Sequence, residues 1–80
     1  MSFVYVTTLE ELDSLDCTYV LAGYMEGRDK DAVPTSDNRA YLHGWHNARV
    51  DYGHEKPAPE QLQLARLVVA RNHEKNRIPQ

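Results

Sequence analysis

The chain has 80 residues, 41% of them hydrophobic, with twelve acids against nine Lys and Arg and a net charge of −3. A single domain of this size buries roughly 60% of the surface of its unfolded chain, and its one cysteine excludes an internal disulfide and with it the disulfide-rich secreted mini-proteins. No apolar run approaches the ~18 residues of a membrane span, Met1–Thr8 lacks the flank and apolar stretch of a signal peptide, and the acidic total argues against a general nucleic-acid binder. A cytoplasmic setting is expected.

Residues 1–7 read as an arm. Phe3-Val4-Tyr5-Val6 is β-branched and aromatic, so a short N-terminal strand or an extended arm is expected. A lone strand has no partner in the chain, so it packs on the helices or pairs with a second copy. Helix is expected over 8–27. Thr8 and Glu11 have capping-box spacing, and Leu9, Leu12, Tyr19, Val20 and Gly23 form the apolar stripe. The β-prone Cys17–Val20 run makes a break near Asp16 plausible. Residues 28–35 form a loop, since Gly27 suits a helix end and Pro34 disfavours helix at Val33. A second helix covers 36–53, with Ser36 or Asp37 as N-cap and Gly53 at its end. Residues 54–59 are a linker. A third helix covers 60–75 with Pro59 in its first turn, and Ile78-Pro79-Gln80 is expected to fray. The fold class is mainly α: a small helix–loop–helix, a third C-terminal helix and the arm.

The middle helix is the most informative. At about 100° per residue, Tyr41, Trp45, Ala48 and Tyr52 share one face, flanked by Leu42, and form the expected core stripe. Arg39, His43, His46, Val50 and His54 share the opposite face, expected to meet solvent or a partner. Gly44 sits mid-helix, where glycine costs about 1 kcal/mol relative to alanine. Gly23 makes the same sacrifice in the preceding helix. A glycine in each of two adjacent helices points to close backbone approach at their crossing.

Gly23-Tyr24-x-x-Gly27-Arg28, a loop with Pro34, and then Arg39-x-Tyr41-Leu42-x-Gly44-Trp45-x-x-Ala48 resemble the ribosome modulation factor family. The match spans about residues 19–51, and its second-helix part is the more specific. The resemblance implies a small bacterial helix–loop–helix protein that binds ribosomal RNA, promotes inactive ribosome dimers, performs no catalysis and needs no cofactor. Under that resemblance and the helical wheel, the RNA-binding candidates are Arg28, Lys30, Arg39, His43, His46 and Arg49. Guanidinium groups contact phosphates and histidines stack on unpaired bases. The structural motif is Gly23, Gly27, Tyr41, Gly44, Trp45 and Ala48.

Charge is uneven along the chain. Residues 1–37 carry eight acids and two bases, for −6; residues 38–80 carry four acids, seven bases and all four histidines, for +3. The acidic arm Glu10, Glu11, Asp13 and Asp16 supports an alternative function. In that reading the chain is a phage- or plasmid-type inhibitor, for example an anti-CRISPR protein, that binds a host protein through its acidic or apolar surface.

Other chemistry finds little footing. His43, His46 and His54 share a helix side, but no carboxylate or thiolate joins them at ligand spacing, so no metal is expected. Cys17 has no base nearby and reads as a small core hydrophobe. No G-x-S-x-G elbow and no phosphate loop is present, so no catalytic residue is assigned. Leu62, Leu64, Ala65, Leu67, Val68, Val69 and Ala70 cover nearly the whole circumference of the third helix. Two short helices cannot bury all of that, so a homodimer through the C-terminal helix is expected.

Overall fold

A computed structural model describes residues 3–75. The architecture is mainly α, with four helices: α1 (Leu9–Ser14), α2 (Cys17–Gly27), α3 (Arg39–Asp51) and α4 (Pro59–Lys75). The expected fraying of Ile78-Pro79-Gln80 lies outside the described residues.

The expected first helix is two helices. Thr8 caps α1, its side chain accepting from the Glu11 amide at 3.1 Å. The Ser14 hydroxyl donates to the Glu11 carbonyl at 2.6 Å, a local bond that competes with continuing the helix. Two residues later Asp16 starts a new one, accepting from the Thr18 amide at 2.9 Å. The cap is extended backbone, so it breaks the helix where it stands. Cys17 is therefore exposed at the start of α2, which corrects its reading as a core residue. Tyr19 also turns outward, 49% exposed.

α2 and α3 make the principal helix–helix contact. The cap of α3 is Asn38, one residue past the expected pair, and its side chain accepts from Ala40 and Tyr41. Gly53 follows the helix with a φ of +76°, the left-handed end that glycine permits. Gly23, Gly27 and Gly44 are the crossing. A methyl on Gly23 would run into the Tyr41 carbonyl and lie 3.0 Å from the Trp45 amide. One on Gly27 would strike the Trp45 carbonyl, and one on Gly44 the Val20 carbonyl. Two backbones therefore touch, and both helices need a residue without Cβ there. Around this contact Ala40, Tyr41, Trp45 and Ala48 are buried. Tyr52, expected in the same stripe, is half exposed, because it lies past the last turn at a φ of −95°.

Among the described residues there is no strand. The N-terminal segment is an extended arm, and it acts as a shim between α3 and α4. Val6 is 2% exposed. A small void is lined by Phe3, Tyr5 and Val6 from the arm, His43, His46 and Asn47 from α3, and Gln61 and Leu64 from α4. Burying Val6 contributes about 1.5–3 kcal/mol. Leu64 is the one buried residue among the described side chains of α4. That helix is otherwise held at its ends. At one end the Gln61 amide donates to Asn47 Oδ1 of α3 at 3.5 Å. Further along, Arg71 makes bonds of 2.8 and 2.9 Å to Asp13 of α1.

Candidate functional site

The six RNA-binding candidates fall into two groups, one at each side of α3. Arg28, Lys30 and Arg49 gather where α2 runs into the loop. Arg28 and Lys30 are exposed, and Arg28 Nε donates to the Met25 carbonyl at 3.2 Å. Arg49 is engaged inside the protein. It donates to the carbonyls of Asp29 at 2.9 Å and Lys30 at 3.0 Å, and its guanidinium lies 5.0 Å over the Trp45 ring. That cation–π placement fixes the loop to the core. His54 holds the same corner through a ring nitrogen 3.0 Å from the Arg28 carbonyl.

Arg39, His43 and His46 lie under the arm. Arg39 donates to the carbonyls of Val4 at 3.1 Å and Tyr5 at 3.2 Å, and to Glu11 Oε2 at 2.6 Å. His43 was expected to face solvent and is buried, because the arm and α4 cover the side of α3 opposite Trp45. Burial, and then the nearby Arg39 charge, hold its pKa below the usual 6.5. Its Nε2 is 3.2 Å from the Asn47 amide nitrogen. His46 pairs with Glu55 at 2.9 Å and stacks on Phe3, the ring centroids 5.0 Å apart.

The motif residues do come together. Tyr41 sends its hydroxyl across to Glu26 at 2.8 Å, and the same oxygen accepts from the Thr35 amide at 3.1 Å. One side chain thus joins α2, the loop and α3. Tyr24, the motif tyrosine of α2, donates to Asp51 at 2.8 Å, which pushes its hydroxyl pKa up. The Tyr5 hydroxyl is raised as well, by burial first and then by Glu55 and Glu60. Of these partners, only Arg49 had a local signal: it stands four residues after Trp45, one helical turn on. The pairings Arg39–Glu11, Tyr24–Asp51 and Tyr41–Glu26 span 15 to 28 residues and leave no local pattern.

The four acidic candidates are divided in the same way. Glu11 holds Arg39 and Asp13 holds Arg71. Asp16 caps α2, and Glu10 is exposed. Among the described residues no group of three or more His, Cys, Asp and Glu could hold a metal ion. No helix among them is long and apolar enough to cross a membrane.

No family model, curated protein or solved structure matches this chain.

The remaining surface is apolar in two places. On α2, Leu21 and Met25 are exposed, and on α4, Leu62, Leu67 and Val69. The arrangement therefore offers a helix pair with a loop at one end that exposes Arg28 and Lys30 beside Asp29 and Asp31, and a separate apolar face on α4.

Proposed function

We propose that this chain is a small non-enzymatic regulatory binding protein of the ribosome modulation factor type, docking its helix pair on ribosomal RNA in the cytoplasm. What supports the reading is the glycine-locked crossing. The residues that carry the resemblance, Gly23, Gly27, Tyr41, Gly44, Trp45 and Ala48, are those that bring α2 and α3 into backbone contact. The pair presents Arg28 and Lys30 on an exposed loop held rigid by Arg49. A fixed loop places charges at a set spacing without an ordering cost on binding.

Arg39 and Arg49 hold the fold, so the test uses Arg28→Glu and Lys30→Glu. Wild type should cosediment with ribosomes at about 50 mM salt. With two phosphate contacts its affinity should fall about ten-fold by about 200 mM. The double variant should stay in the supernatant with an unchanged circular dichroism spectrum. No association at the lower salt overturns the reading.

One observation favours a second reading, an inhibitor of a host protein. Two of the three candidate arginines, Arg39 and Arg49, are already bonded to distant parts of the chain, while Glu10 is exposed. A host protein captured by wild type and released by Glu10→Lys, with no ribosome binding, supports this alternative.

A further inference from the structure

A run of hydrogen bonds ends on His43 beneath the arm. The Ala58 amide, which can only donate, gives to Gln61 Oε1 at 2.7 Å. That turns Gln61 Nε2 toward Asn47 Oδ1 at 3.5 Å, and Asn47 Nδ2 toward His43 Nε2 at 3.2 Å. A backbone N–H thus sets the direction of every link, so His43 Nε2 accepts and the ring carries its proton on Nδ1. A proton added at Nε2 would meet the Asn47 amide hydrogens, donor against donor. Among the described residues no acid is bonded to His43 to take up that charge. Arg39 of α3 adds a second cation. Glu11 of α1 is bonded to Arg39, Asp13 of α1 to Arg71 of α4, and Glu55 to His46. Glu60 of α4 acts on the Tyr5 hydroxyl of the arm.

We propose that the arm, residues 3–7, is a strap that mild acid releases from α3 and α4 while the helices stay folded, with His43 Nε2 as the proton acceptor that drives it. The arm is the most weakly held cover of this site. The amides of Phe3–Thr7 donate to no described residue, and the arm is tied by the Arg39 guanidinium on the Val4 and Tyr5 carbonyls, the Phe3–His46 stack and the buried Val6. A segment without a backbone ladder opens at the least cost. Burial and Arg39 hold the His43 pKa below 6.5 while the arm is closed, and an open arm returns water to the ring. Between the closed and open values the open fraction therefore gains up to about ten-fold per pH unit. His46 works the other way, since its protonation strengthens the pair with Glu55 beneath Phe3. Release frees the Arg39 guanidinium and bares His43, on the face of α3 that carries three of the RNA-binding candidates. The release itself does not depend on that function.

Nuclear magnetic resonance of the purified chain, titrated from about pH 7.5 to about pH 5, tests this apart from any ribosome binding. The amides of Tyr5–Thr7 should lose their order with the midpoint of the His43 ring signal, while α2, α3 and α4 keep their signals. His43→Gln, which still offers Asn47 an acceptor, should hold the arm closed across the range. Asn47→Asp places a carboxylate where the proton arrives, so it should raise the His43 midpoint and also hold the arm closed; it serves if His43→Gln fails to fold. An arm that stays ordered once His43 is charged overturns the proposal. So does loss of the α4 signals with or before those of the arm, or an acid step that either variant leaves in place.

Discussion

Gly44→Ala tests the crossing of α2 and α3 most directly. The added methyl would lie 2.8 Å from the Val20 carbonyl carbon and 3.0 Å from the Tyr24 amide nitrogen, with the Val20 oxygen nearer still. Carbon atoms rest about 3.5–4.0 Å apart, so the helices must part by roughly 0.7 Å or more. The atoms in the way are helix backbone and cannot swing aside. Overpacking of this kind costs about 1–3 kcal/mol, and a backbone obstacle places it at the upper end. Alanine returns about 1 kcal/mol of helix propensity. The net loss is about 2 kcal/mol, against a total of about 4–12 kcal/mol for a domain of this length. Thermal unfolding followed by circular dichroism should show Tm lower by about 8–16 °C. Gly53→Ala is the control: its positive φ makes it cost about 1 kcal/mol, but no atom lies within 4 Å of the new methyl. A Gly44→Ala protein as stable as wild type, or more so, would refute backbone contact, since the propensity gain would then act unopposed.

Trp45→Ala removes a side chain that is 7% exposed and should cost about 3–5 kcal/mol, a large share of that total, read as a sharply lower Tm by far-ultraviolet circular dichroism. His43 has a lowered pKa in the fold, so below about pH 6.5 the unfolded chain binds more protons than the folded one. Stability is therefore full above that pH and declines as pH falls toward the folded value. Urea titrations at about pH 7.5 and 5.5 should show the loss, and His43→Gln should remove its share. Arg49→Ala frees the loop carbonyls of Asp29 and Lys30 and should cost about 1–2 kcal/mol, read as faster proteolysis after Lys30.

The helix pair was legible because its signals are local: glycines one turn apart and a tryptophan between small residues, while its caps, Asp16 and Asn38, were not placed. The break before α2 had only a partial signal, the β-prone Cys17–Val20 run after Asp16, and a single helix over 8–27 was expected where two stand. What the residues did not reveal depends on distant segments. The helical wheel gives α3 one buried face, and Trp45 marks it. The arm buries the other, so His43 turned out to be interior and Arg39 a clamp on the arm's carbonyls. Nothing in Phe3–Val6 states which helix it will meet. The same holds for the binding candidates: residue type marks an arginine as able to hold a phosphate, and a carbonyl of the chain itself can take that place.

The shim has a consequence for how the protein is made. Val6 and Leu64 line one void, yet 58 residues separate them. At roughly 5–20 residues per second of synthesis, several seconds pass between the two. Helices form in about a microsecond, so α2 and α3 can cross while α4 is still being translated. Through that interval Phe3, Tyr5 and Val6 have half of their binding site. The first hydrophobic residues of the described chain are thus among the last to reach their final place. A nascent chain arrested before Leu64 would carry them uncovered, open to a chaperone or to another nascent copy.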